Sequence, residues 1–199
     1  NELTPSRCLS GFSGLPAPPP YATRRVARNG AHFEFFGLDS NLYEEGNVAR
    51  GELSVASLAW LSKELYRSET NSPTPMPIRI LLLHHHPVDL NRFRKTSRKI
   101  LLWKRLTQMD GGDRLLDLCH GRIHVILHGH EHFPIAFHDR KSQAIIVSAG
   151  TVSQRQNKYS SNSFFSLLFD GNTMSVVEYC WTGGRFQPQE SFGPWQLAI

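Results

Sequence analysis

The stretch "VILHGHEHFP", residues 125–134, decides how this chain is read. "RIHVILHG" is short, rich in Ile and Val and closed by Gly129, the pattern of a buried strand. Residues two apart on an extended backbone point the same way. If the chain stays extended past Gly129, His130 and His132 converge on one locus. Gly129 lets the backbone bend or approach a bound group there. Two imidazoles meeting beyond a strand end are able to ligate a metal ion. Two polar residues on an exposed turn fit the same ten letters, and the stretch alone leaves both readings open.

A second histidine cluster narrows the choice. In "LLLHHHPVDL" the apolar strand at 78–83 ends in His84, His85 and His86, and Pro87 stops it. Open α/β sheets bind ligands beyond the carboxyl ends of their strands, and both clusters occupy such ends. Two clusters at equivalent positions are harder to dismiss than one polar triplet.

Around these clusters the chain reads as α/β in its middle and β-rich towards its end. "AHFEFFGLDS" is a strand and a turn. "LSVASLAWLSKELYRS" is a helix capped by Ser54, with Val55, Leu58, Leu61, Ser62 and Leu65 along one stripe. "NSPTPMP" is a breaker loop. Helices are expected near 97–109 and 112–119, with Asp113 near the second N-cap. Strands follow in "FPIAFHD", "AIIVSAG", "SFFSLLFD" and "MSVVEYC", with "DGN" at 170–172 as a hairpin turn. Residues 1–31, which include "GLPAPPPY", read as an irregular Pro-rich segment, 32–182 as the folded domain and 183–199 as a loose tail. Helices alternating with apolar strands predict a sheet covered by helices.

Composition sets outer bounds. The 199 residues suit one domain with a real core. Hydrophobic and charged contents of 40% and 20% are ordinary for a globular protein. A net charge of +5 favours anionic partners. Cys8, Cys119 and Cys180 are odd in number and far apart, which predicts neither a disulfide framework nor a CxxC metal knuckle. A reducing, cytoplasmic setting is the default expectation. No run is long enough to span a membrane, and no signal peptide is visible. A first residue of Asn suggests a fragment or a processed form.

The order "HHP" after one strand and "HGHEH" after another resembles the calcineurin-like metallophosphoesterase superfamily. "FEFFGLDSN", "GELSVASLAWLSKEL" and "AIIVSAGTVSQRQNKYSSNSFFSLLF" are similar to the segments flanking those motifs, with the flavour of the class III cyclic-nucleotide phosphodiesterase-like branch. The resemblance implies the C-terminal portion of an αββα sandwich, with mixed β-sheets flanked by helices. It also implies a hydrolase with two divalent ions, such as Mn, Fe or Zn, bridged by an aspartate and by water or hydroxide. That hydroxide attacks phosphorus while the ions clamp the phosphate oxygens. Matched residue by residue, His85 and His130 serve the second metal and His132 the first. His84, His86 and His128 fall outside the ligand match and are expected to face substrate or to support the ligands. Glu131 fills the variable slot between ligands.

The family's N-terminal motifs, D-x-H, G-D-x-x-D and G-N-H-D/E, are missing. "GDRLLD" at 112–117 has one residue too many and follows the histidine triplet instead of preceding it. "GNVA" at 46 and "GNTM" at 171 lack the histidine and read as turns. The chain thus resembles only the C-terminal part of a phosphoesterase. It is expected to need that missing half, or another chain, to cover an exposed sheet edge. A phosphorylated molecule is the expected substrate. "RFRKTSRKILLWKR", 92–105, raises nucleic acid as a partner, but Ile100, Leu101, Trp103 and Leu106 suit an amphipathic helix, which is favoured. The competing reading is a non-enzymatic remnant that binds one metal or none.

Overall fold

The computed structural model describes residues 21–28, 30–41, 51–71, 76–93, 109–152 and 162–199. Its main sheet has six strands: β1 (Tyr21–Arg28), β2 (Ala31–Leu38), β3 (Ile78–Leu82), β4 (Val125–His128), β5 (Ile135–His138) and β6 (Ile145–Ser148). They lie in the order β1-β2-β3-β4-β6-β5. The four central strands, β2, β3, β4 and β6, run parallel, and the two edges run antiparallel to them. A second, antiparallel sheet contains β7 (Ser163–Asp170), β8 (Thr173–Thr182) and β9 (Arg185–Gln196).

The period-two alternation of the central strands splits the core in two. One face of the main sheet sends Ile78, Ile80, Val125, Ile145 and Val147 against Met174, Val176 and Leu197 of the second-sheet region. The opposite face sends Phe36, Leu81, Ile126 and Ile146 against Leu61, Leu65, Leu115, Leu116 and Cys119 of two helices. These are α1 (Val55–Thr70) and α2 (Gly112–Cys119). Among the described residues the layers are therefore helix, sheet, sheet. This is a mixed α/β architecture with few helices, and the expected second helical layer is not among them.

Ser54 caps α1 as expected, its Oγ accepting the Ser57 N–H at 2.9 Å. The buried face is Ser57, Leu61, Leu65 and Ser68, so the expected stripe is rotated: Val55 is 75% exposed. Asp113 lies in the first turn of α2, near the cap position as expected. Gly111 holds the cap position itself in a left-handed conformation, and the Asp113 carboxylate accepts from Lys141 Nζ at 2.9 Å. The "DGN" hairpin forms as expected, Asp170 pairing with Thr173.

Two expectations fail at the ends of the chain. β1 lies inside the segment expected to be irregular, and β9 occupies the segment expected to be a loose tail. Thr182 pairs with Arg185 across Gly183 and Gly184, both at positive φ, the requirement of a type I′ turn. As an edge strand, β9 tolerates Pro188 and Pro194, which donate no N–H to a ladder. All but the last residue of the helix expected near 97–109, most of the basic segment, Cys8 and "GNVA" lie outside the described residues. No described helix is long and apolar enough to cross a membrane.

Candidate metal centre

The parallel strands bring three chain segments to one end of the main sheet. β2 runs out into Asp39 and Ser40, β3 into His84–His86, and β4 into Gly129–Glu131. The Gly129 N–H donates to the His84 carbonyl at 3.0 Å, which fixes the β4 exit against the histidine triplet.

The chain does not stay extended past Gly129. His130 has φ +74° and His132 φ +52°, and the Glu131 N–H donates back to the Gly129 carbonyl at 3.1 Å. A three-residue turn with a central φ near +75° is the rarer, strained form of the γ-turn. Non-glycine residues held in this region cost of order 1–3 kcal/mol each and cluster at functional sites. The turn changes which histidines meet.

His84, His85 and His130 each offer a nitrogen, and the three nitrogens lie within 4.8 Å of one another. His132 is outside this group, although the family match makes it a ligand. His84, which the match leaves without a ligand role, is inside it. His130 Nδ1 and His84 Nε2 are 3.2 Å apart. Two nitrogens bound at ~2.1 Å to one tetrahedral ion sit about 3.4 Å apart, so this pair already has the span an ion needs. One of the two carries a proton in the present N–H···N contact. On ion binding that proton belongs on the other nitrogen of its ring. The ring centroids of His85 and His130 are 4.3 Å apart, and those of His84 and His85 4.9 Å.

Burial and like neighbours disfavour the charged form of the buried rings, His85 and His128. Burial pushes His85 down to about 3, with His130, His84 and His86 adding to the effect. His128, 4% exposed, is also pushed down to about 3, by burial and then by His86; its hydrogen bond to the Gly129 carbonyl opposes the shift. Neutral imidazole is the form that ligates. His85 is fully buried, His130 half-buried and His84 exposed, so one side of the group opens to solvent.

The remaining candidates stand beside the group. His86 is buried, its Nε2 3.8 Å from a Glu131 carboxylate oxygen. Its ring centroid is 6.0 Å from that of His130 and 6.2 Å from that of His128. Among the described residues, no carboxylate or thiolate joins the three histidine nitrogens within the same span. Cys119 is buried in the helical core, its thiol pushed up to about 12 by burial.

Two residues absent from the sequence-based site hold His85 in place. Ser40 Oγ lies 2.9 Å from His85 Nδ1 and accepts the His85 backbone N–H at 3.1 Å. Gly51 packs on the ring so closely that a Cβ there would fall 2.2 Å from His85 Cγ. The "LDS" and "GELS" fragments contain both residues but carry no metal-ligand chemistry that would single them out.

No protein-family model matches the chain, and no curated protein is similar to it. Similar solved structures include a single mutant of Vps29 from Entamoeba histolytica, 11% identical with a TM-score of 0.34, the match covering 92% of this chain and 66% of that one. Vacuolar Protein Sorting 29 from Cryptosporidium parvum is 12% identical with a TM-score of 0.35, over 87% of this chain and 57% of that one. Wild-type Vps29 from Entamoeba histolytica, complexed with zinc, is 11% identical with a TM-score of 0.33, over 85% and 59%. The chain therefore spans less than two thirds of the length of each. Scores this low fall short of a shared fold, so the architecture stands on the strands and helices described above.

Proposed function

We propose that this chain carries the histidine-rich part of a metallophosphoesterase-type site and holds one divalent ion through His84, His85 and His130. One observation carries the reading: three imidazole nitrogens within 4.8 Å of one another, at the C-terminal ends of adjacent parallel strands. Three histidines with a position left open is a ligand set of catalytic zinc. The ordered motifs "HHP" and "HGHEH" support the phosphoesterase class. Phosphodiesters or phosphomonoesters are the substrates that class implies, and the class III cyclic-nucleotide branch is the finer form of the proposal. A cytoplasmic setting is part of the same proposal.

His84, His85 and His130 would hold a divalent ion, which would supply polarisation of a phosphoryl oxygen and a lowered pKa of water. The chain's own residues do the rest. His85, buried, anchors the ion side of the group, and the exposed His84 leaves an approach for an anionic substrate. His86 and Glu131 lie beside the group, where they are placed to take part in hydrogen bonding around it.

A second reading has its own observation. No described carboxylate joins the three nitrogens, so nothing there bridges two cations. Under that reading the chain binds one ion and does not hydrolyse. Turnover of a generic phosphodiester with added manganese separates the two. Turnover that disappears in His85→Ala supports the hydrolase. Stoichiometric metal without turnover leaves the single-ion binding module, with catalysis requiring carboxylates from a longer polypeptide or another chain.

A further inference from the structure

We infer that Ser40 and Gly51 form a cradle that selects which nitrogen of His85 faces the ion, so that Ser40 is a positioning residue for metal binding. The inference rests on the single-ion reading above and adds to it the part that orients the most buried ligand.

The cradle is built from three separated segments. Ser40 follows β2, and its Oγ contacts His85 twice, at Nδ1 (2.9 Å) and at the backbone N–H (3.1 Å). A hydroxyl oxygen accepts two hydrogen bonds through its lone pairs. Ser40 accepts from the His85 backbone N–H, and in the inferred arrangement it also accepts from the ring, so that Nδ1 carries the proton. Nε2, on the far side of the ring, then presents its lone pair away from Ser40. This is the arrangement seen in metal sites, where the nitrogen not on the metal donates to an oxygen that fixes the tautomer.

Gly51 closes the ring face. Its backbone is held by hydrogen bonds on both sides: the Glu52 N–H donates to the Ser40 carbonyl at 3.0 Å, and the Asp110 N–H donates to the Gly51 carbonyl at 2.8 Å. A side chain at 51 would overlap the imidazole, with Cβ 2.4 Å from Nδ1. Ser40 and His85 are both fully buried, so water does not compete for Nδ1. His85 is thus held by an oxygen at its edge and a backbone at its face.

Two readouts test the inference without using activity. Long-range proton–nitrogen NMR of the imidazoles in the metal-free chain is expected to show His85 protonated at Nδ1, and to show that preference lost in Ser40→Ala. Zinc affinity, by competition with a chromogenic chelator, is expected to fall about 10- to 100-fold in Ser40→Ala and to recover in Ser40→Thr, which restores the hydroxyl. His85 protonated at Nε2 in the wild-type chain overturns the inference, and that arm needs no variant to fold. Unchanged zinc affinity in Ser40→Ala also overturns it. A wild-type chain that binds no zinc, yet shows the Nδ1 tautomer, removes the single-ion reading and the metal role of Ser40 together, while the tautomer reports the cradle itself.

Discussion

The helix-facing side of the main sheet buries polar residues at both of its ends, and the two ends are built differently. At the N-terminal end of β3, Arg79 is 2% exposed beside Glu34, 3% exposed on β2. Arg79 Nε donates to Ser68 Oγ at 2.9 Å, Ser68 donates to Glu34, and Arg25 reaches the other Glu34 oxygen at 2.8 Å. Opposite charges meet there, and backbone torsions at positive φ are absent from Glu34 and Arg79. At the C-terminal end, His84, His85, His86, His128 and His130 crowd together, and His130 and the nearby His132 have positive φ. Donors and acceptors complete one another at the first end. At the second, imidazoles face one another, and His130 and His132 carry backbone strain.

The largest expected effect breaks the first end. Glu34→Ala removes a carboxylate 3.9 Å from the buried Arg79, with Glu69 its remaining acidic neighbour, and is expected to cost about 3 kcal/mol of stability in urea unfolding. Replacing the pair together, Glu34→Leu with Arg79→Met, is expected to recover most of that loss. A loss that persists in the double variant would mean the pair does more than neutralise itself.

His124 sharpens the contrast, because it is a histidine outside the cluster. Burial, then Arg79, pushes it down to about 4, against the acceptor carbonyl of Ala198. Between pH 6.5 and about 4 the unfolded chain binds this proton and the folded chain does not. The stability from neutral His124 is therefore whole above pH 6.5 and is lost as pH falls through that window, by roughly 3 kcal/mol in full. Unfolding followed from pH 7 to pH 4 is expected to show a shallower fall in His124→Asn than in the wild type.

Zinc at 100 times its dissociation constant is expected to stabilise the wild-type chain by about 2.7 kcal/mol. Thermal unfolding should show that gain vanish in His85→Ala and persist in Arg79→Met, which lies at the other end. Smallest of the four, Ser54→Ala removes the α1 cap and should cost about 1 kcal/mol, with no change in zinc binding.

Much of this architecture was legible in the letters. β3, β4 and β6 are apolar runs buried on both faces, and Ser54 announces α1 by its hydroxyl. β1 and β9 were hidden because their arginines, prolines and glutamines give no alternating pattern. Their turns carried the signal instead: Gly30 at φ +77° between Arg28 and Ala31, and the Gly183–Gly184 pair. In the site, His85 and His130 were found and do meet. His84 joins them because the backbone bends at 84–85, so alternation no longer separates neighbouring side chains. The positive φ at His130 is set by the turn against β3, a tertiary effect that no spacing rule contains. Ser40 and Gly51 come from distant segments, and only the folded sheet brings them to His85.

Zinc stoichiometry measured by mass spectrometry on three purified chains tests the central claim most directly: the wild type, His84→Ala and His132→Ala. The geometry predicts one zinc in the wild type, loss of it in His84→Ala and retention in His132→Ala. Zinc lost in His132→Ala and kept in His84→Ala, or no zinc in the wild type, would contradict it.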